Sequence, residues 1–409
     1  MMIYLIPITT MDPDFDFIIV GAGSTGASIS YYLRRYGKRV LLIDRKGVAT
    51  GNTARSSGLI RTHYSNELIA AMAKYSFDVI SNFDSIGFSG FHQTGMYFPF
   101  PDKYREVAKE NVEMLKKIGI REKEIPAEDI AKKFKGISLD GFDYVIYEPL
   151  SGYADPVAVS NSYAQLSKES GVVQMFGKEV RDIESKNDFI KLSLGDGSTL
   201  TGKKVILATN VWTNKLLELS GVPHEKLLPI TSSLHAVIYL KRPPVLQGEK
   251  PILWDPPNLS YYKPEGSTLL ALGSLDPEID RRPVEVDGNL PETADSDYIV
   301  DYVTRLVNRI PAMGDATVIS SIAGLYDMTP DGQAIISPLD YLGFDGVYVC
   351  AGLSGHGFKL SPAYGLITFE MVTGVDPEKS TFDYRNFSPD RFRSGKIITS
   401  RYSEIGTIY

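Results

Sequence analysis

The chain has 409 residues, 43% hydrophobic and 23% charged, the makeup of a folded enzyme long enough for two domains. A formal net charge of -7 argues against a nucleic-acid surface. The single cysteine, Cys350, excludes intrachain disulfides and fits a reducing cytoplasm, and no stretch has the length of a transmembrane helix, which leaves peripheral membrane association through a partner.

The start, MMIYLIPITTM, is apolar but short and lacks a basic segment, so it reads as a tail or early strand and not as a signal peptide. Residues 16–44 carry the densest pattern. Phe17 to Val20 predict a buried strand, Ser24 to Arg35 a helix, and Val40 to Ile43 a second strand ending on Asp44. Between strand and helix, Gly21, Gly23 and Gly26 stand in G-x-G-x-x-G spacing. Gly21 permits the tight turn, Gly23 lets backbone approach a pyrophosphate, and Gly26 lets helix pack on strand. Ser24 and Thr25 open the helix, whose free N–H groups attract phosphate, and Asp44 stands where a carboxylate binds ribose hydroxyls. Strand, glycines, helix, strand and acid in this order predict dinucleotide binding.

The next segment, KGVATGNTARSSGLIRTHYS, is too irregular for a regular element. Residues 66–86 predict a helix, with Leu68, Ile69, Met72, Tyr75 and Val79 on one face. GMYFPF reads as a strand, followed by helices over 103–118 and 127–134. Residues 172–210 read as a run of strands with a hairpin turn at Asp196-Gly197, and 203–208 as a buried strand returning to the nucleotide-binding sheet. More strands follow in LHAVIYL, PILWD, LSYYK and TLLALG, then a helix over 298–310, and finally a strand, a Gly-rich turn and a helix from residue 346. There is no internal repeat. The order implies an α/β (mixed α+β) fold with interleaved domains: a nucleotide-binding domain from 14–86, 150–212 and 320–386, a sheet-rich substrate domain from 87–149 and 213–319, and a C-terminal tail, 387–409. A ligand then sits at the interface. The tail can pack on a partner or on its own core.

Five motifs, VGAGSTG, ARSSGLIRTHYS, KKVILATNVWTNKLL, YDMTPDGQAIISP and CAGLSGHGFKLSPAYG, together resemble the FAD-dependent oxidoreductases of the D-amino-acid oxidase superfamily. The pattern is most similar to sarcosine oxidases, the beta subunits of sarcosine oxidase and dye-linked L-proline dehydrogenase, and dimethylglycine dehydrogenase, over roughly residues 15–390. The resemblance implies a Rossmann-like FAD-binding domain beside a second domain built on a large mixed β-sheet. It implies hydride transfer from a C–H next to nitrogen onto flavin N5, giving an imine that water hydrolyses.

The resemblance also assigns residues. It places the turn Gly352, Gly355, His356, Gly357, Phe358 and Lys359 beside the flavin, with the following helix aimed at the N1–C2=O edge. Arg61 and Lys359 match two cations that share a substrate carboxylate, although solvated surface charge is the ordinary fate of Lys and Arg. His63 and His356 are catalytic or structural; Tyr261, Tyr262 and Tyr326 are pocket aromatics or core. Arg45, Asn52, Thr53, Ala54, Arg55, Ser56, Ser57 and Gly58 follow the second strand, where the family wraps pyrophosphate and flavin. Val180 matches a residue whose backbone meets adenine, and Thr209 and Trp212 lie in a motif where Asn210 replaces the usual glycine.

Gly324 stands where some relatives carry a flavin-linking cysteine, so FAD is expected to bind non-covalently, and no metal site is expected. Ala271 aligns with a lysine that promotes reaction with oxygen, and Lys263 falls in a neighbouring turn. These readings predict a dehydrogenase for a small carboxylate-bearing amine, with a protein, dye or quinone acceptor and a hetero- or homo-oligomeric assembly as accompanying expectations. The alternatives are a 2-hydroxy-acid dehydrogenase and an electron-relay subunit.

Overall fold

A computed structural model describes residues 12–186, 188–280, 282–286 and 290–402. The expectations for the N-terminal segment 1–11 and for 403–409 lie outside the described residues. The chain forms two large sheets and a small third one. The first has a parallel centre in the order Val173–Phe176, Val40–Asp44, Phe15–Val20, Thr199–Leu207. Phe344–Ala351 pairs in parallel with the far half of Thr199–Leu207, and Ile335–Leu339 pairs antiparallel with it. The hairpin Val180–Ser185 and Ile190–Leu194 extends the near half. Nearly every side chain of Phe15–Val20 and Val40–Asp44 is buried, as expected of a parallel sheet covered on both faces.

Helices Ser24–Leu33, Pro156–Glu169 and Ser361–Thr373 pack together, with Ser24–Leu33 touching both others. The crossing is close: a Cβ at Gly365 would lie 2.2 Å from Ser28 Oγ. The helix Pro156–Glu169 has no counterpart in the elements predicted from sequence, although Asp155 caps it, accepting from Val157 N and Ala158 N, and Pro156 opens its first turn. Asp-Pro before an apolar period was the available signal.

The second sheet has eight strands, in the order Thr317–Met328, Thr231–Lys241, Leu269–Ser274, Ser260–Glu265, Ile252–Asp255, Met96–Phe100, Tyr144–Glu148, Lys123–Ile125. All neighbours are antiparallel except Ile252–Asp255 with Met96–Phe100. The long strand Thr317–Met328 belongs here, so the stretch 320–386 is divided between the two sheets. The stretch after Asp44 is less irregular than its composition suggests: Asn52–Arg55 forms a short 3-10 turn, and Leu59–Ile60 pairs with Gly152–Tyr153. Helix 66–86 ends earlier, as Glu67–Ser81, and a separate turn follows. Among the described residues no helix is long and apolar enough to cross a membrane.

Candidate active site

A cavity of about 590 Å³ lies between the two large sheets and takes its wall from both. Its first end is built by the glycine turn. Gly21 adopts φ +106°, and a Cβ there would meet Ala208 O at 2.3 Å. A Cβ at Gly26 would lie 1.8 Å from Gly21 O, so this glycine serves helix–strand packing and does not line the cavity. Gly23 does line it, with only Thr53 Oγ1 within reach of an added methyl. Ser24 N donates to that same hydroxyl at 3.1 Å. Asp44 sits at the strand end as expected, but its oxygens also tie the turn together, accepting from Ala22 N at 2.8 Å, Lys46 N at 2.7 Å and Gly47 N at 3.0 Å. Arg45 lies over the Trp212 ring at 3.9 Å, closing this end beside Val180. Asn52, Thr53, Ser56, Ser57 and Thr209 continue the wall; Ala54 and Gly58 do not reach it.

The replacement of the family glycine by Asn210 leaves the backbone turn intact. Asn210 adopts φ +52°, a left-handed conformation that Asn tolerates better than most residues. Its Oδ1 accepts from Asn52 Nδ2 at 2.7 Å, and Asn52 Oδ1 accepts in turn from Leu325 N at 2.9 Å. Its amide also serves Asp327, a fully enclosed carboxyl that accepts from Gly352 N at 2.7 Å. Burial pushes Asp327 up to about 6, against the pull of the backbone N–H groups of Leu353 and Gly352. Gly352 itself lies behind the wall.

The second end gathers charge and aromatic rings. Arg61 is 2% exposed, yet it lines the cavity. Its guanidinium lies over Tyr64 at 4.0 Å and over Trp254 at 5.2 Å, and Nη1 donates to His63 O. Its Nε is buried and makes no hydrogen bond among the described residues. Lys359 lies deep in the molecule, partly open to the cavity, and Nζ donates to Gly355 O at 3.2 Å. Burial, and then the Arg61 charge, hold its ammonium down to about 7. Burial, with help from Lys359 and Arg61, also holds His356 well below the usual imidazole range, so it is neutral at pH 7. Neither cation pairs with a carboxylate among the described residues. Two enclosed cations without a counter-ion are costly unless an anion completes them, so this end fits a carboxylate ligand.

Tyr261, Tyr326, Gly324, Gly355, Gly357 and Phe358 all line the cavity. Tyr262 does not: on a strand its side chain points to the opposite face, where its hydroxyl donates to Asp255 at 3.2 Å. His63 is also excluded; its Nδ1 pairs with Glu122 at 2.7 Å and its ring stacks on Phe98. Sequence reading missed Trp254, which stacks on Tyr261 at 5.9 Å, and His235, which stacks on Tyr326 at 3.8 Å. Alternation offered the only signal: both lie on strands whose other face is core.

Lys263 is no turn residue. It lies in strand Ser260–Glu265, directly opposite Ala271, with Nζ 2.5 Å from Glu265 and over the Tyr153 ring. Neither Lys263 nor Ala271 lines the cavity. Cys350 is buried in the strand behind the wall, and burial pushes its thiol up to about 12, which leaves it a poor nucleophile.

Residues 16–371 match the family model described as FAD dependent oxidoreductase. The bovine (Bos taurus) FAD-dependent oxidoreductase domain-containing protein 1 is 27% identical over 93% of this chain and 85% of its own. Monomeric sarcosine oxidase of Arthrobacter sp. (strain TE1826) is 25% identical over 92% of this chain and 96% of its own. The crystal structure of L-proline dehydrogenase from P. horikoshii superposes with a TM-score of 0.80 at 23% identity, covering 93% of this chain and 98% of that one, a likeness of fold. With a glycine cradle at one end, two enclosed cations at the other and a family match across nearly the whole chain, the protein belongs to the FAD-dependent oxidoreductases of the D-amino-acid oxidase superfamily and is a flavoenzyme.

Proposed function

We propose that this chain oxidises the CH–NH bond of a small amino acid or secondary amine of the sarcosine, proline or D-amino-acid type. The observation that carries the reading is the pair Arg61 and Lys359, enclosed at the second end of the cavity with no carboxylate of their own. Bound FAD supplies the hydride acceptor. Arg61 and Lys359 hold the substrate carboxylate, and this two-point hold orients the amine-bearing carbon. The stacked pairs Trp254–Tyr261 and Tyr326–His235 wall the amine and exclude water. Burial chiefly holds His356 down; the bound carboxylate offsets the Lys359 and Arg61 charges that add to it, which raises its capacity to take a proton from the substrate ammonium. The imine product leaves and hydrolyses.

The acceptor we assign is a protein, dye or quinone and not oxygen. The second sheet supplies no lysine or arginine to the cavity wall among the described residues, and Ala271 stands opposite a Lys263 that is already paired with Glu265. On that wall, among the described residues, a superoxide-like charge has no cation to stabilise it apart from the pair assigned to the substrate carboxylate. The nucleotide end, from Gly21 and Ser24 to Asp44, Val180 and Trp212, is assigned to the adenosine diphosphate part of FAD.

The test is anaerobic mixing of the FAD-loaded protein with sarcosine, L- and D-proline, other amino acids and 2-hydroxy acids, with flavin absorbance as readout. Bleaching by an amine, slow recovery in air and fast recovery with a dye are expected. Bleaching by hydroxy acids alone would transfer the same carboxylate clamp to a different reaction, and no bleaching at all would leave an electron-relay role.

A further inference from the structure

The last described residues do not trail into solvent. Arg391 forms a two-point ion pair with Asp331, at 2.7 and 2.9 Å, and Ile398 N donates to the same carboxylate at 3.2 Å. Asp331 lies just past the strand Thr317–Met328, which carries Tyr326. From there the chain crosses to the segment that carries Arg61. Asn66 Nδ2 donates to Thr399 O at 3.4 Å, Ser65 and Ser400 share a hydroxyl bond of 2.7 Å, and Arg401 N donates to Ser65 at 2.9 Å. Tyr402 is wholly buried, stacked on Phe100 at 5.1 Å and on His63 at 5.7 Å.

His63 links this last segment to Arg61, which lines the cavity. Its carbonyl accepts from Arg61 Nη1, its ring stacks with Phe98 and with Tyr402, and Nδ1 is held by Glu122. Glu148 fixes the backbone leading into His63, accepting from Thr62 N at 2.7 Å and His63 N at 3.3 Å. Tyr402 thus adds to the contacts that hold the His63 ring, and the His63 carbonyl is one of the few groups that aims the guanidinium.

We propose that the C-terminal strap, residues 396–402, is a positioning element for Arg61, which through the Tyr402–His63 stack presents the guanidinium to the substrate carboxylate. Tyr402 does not line the cavity; it acts through His63. The proposal rests on the reading of Arg61 as a carboxylate ligand. A guanidinium fixed before the substrate arrives loses less freedom on binding, so unseating the strap weakens the hold on anions specifically.

The experiment uses the FAD-loaded protein with two probes that cannot be oxidised at a CH–NH carbon, pyrrole-2-carboxylate and the uncharged pyrrole-2-carboxamide, titrated by flavin absorbance. Tyr402→Leu keeps apolar bulk but removes the stack; a chain ended at Ser400 removes it altogether; Tyr402→Phe retains it. In Tyr402→Leu and the shortened chain, the Kd for the carboxylate is expected to rise about tenfold, the upper worth of one aromatic pair, with the carboxamide unchanged. Phenylglyoxal modification of Arg61, mapped by peptide mass, is expected to quicken in the same two proteins, and Tyr402→Phe to match the parent in all three readouts. Equal Arg61 reactivity with and without the strap would overturn the proposal, as would loss of FAD from both altered proteins, which marks a general folding role. If the parent ignores the carboxylate while Arg61 still becomes more reactive without the strap, the carboxylate reading fails and the strap's hold on Arg61 stands.

Discussion

Arg309 and Arg391 lie buried against carboxylates, whereas Arg61 lies buried and Lys359 enclosed without one. Arg309 meets Asp255 at 2.7 and 3.1 Å and also donates to the carbonyls of Ser138 and Asp140 at 2.9 Å. Arg391 meets Asp331 in the same two-point way and donates to Gln333 O at 2.8 Å. At the cavity end, Arg61 keeps an orphan Nε and Lys359 a single carbonyl partner. The first pair is complete and belongs to the framework. The second is incomplete among the described residues, which is what supports the proposed carboxylate ligand. A buried cation is thus informative only when its partners are counted.

The strongest way to break this comparison is to delete acids on the framework side. Asp331→Ala and Asp255→Ala strand a buried guanidinium, and each is expected to cost about 3–5 kcal/mol in urea unfolding of the FAD-loaded protein. Arg61→Met removes a cation with no counter-ion and should leave the unfolding midpoint unchanged or raised; a loss as large as that of Asp331→Ala would end the distinction. In kinetics the order reverses. Arg61→Met is expected to raise KM for a carboxylate substrate by about 30-fold or more, equivalent to the loss of one side of a buried charge pair, while Asp255→Ala, which lies away from the strap, keeps the parent KM if it folds.

A pH series sharpens the contrast. Lys359 holds its proton less tightly folded than unfolded, so between its folded value of about 7 and the ordinary lysine range the unfolded chain binds more protons. Stability without ligand should therefore rise with pH across that window. Carboxylate binding needs the charged form, so KM should rise as pH passes about 7 upward, and Lys359→Met should flatten both profiles. The smallest effect concerns the turn. Asn210→Ala forces alanine into φ +52° and removes the bond to Asn52, for an expected loss of about 1–2 kcal/mol by urea midpoint, whereas Asn210→Gly restores the conformational freedom and should lose less.

Local patterns were legible in the sequence because their causes are local. The glycine spacing, the apolar runs and Asp44 lie within 29 residues, and each works through neighbours a turn or a strand away. Asp196-Gly197 likewise makes the predicted hairpin, Gly197 taking φ +85° and Asp196 accepting from Ser198. The family motifs extended this reach, since GLSGHGFK and GLIRTHY carry Lys359 and Arg61 in recognisable settings.

What the sequence by itself determined was the glycine turn and the order of most strands along the chain, and it singled out Arg61 and Lys359, which the structure brings to one cavity. Tertiary structure alone decided which face each side chain presents and who its partners are. Tyr261 reaches the cavity and Tyr262 the core because register sets the pleat; Lys263 is spent on Glu265 because the two lie on one face of a strand; His63 supports Arg61 because Glu122, Phe98 and Tyr402 close around it from distant parts of the chain. The first two follow once the strand Ser260–Glu265 and its register are known; the His63 contacts join segments far apart in the chain, and no spacing along it encodes them.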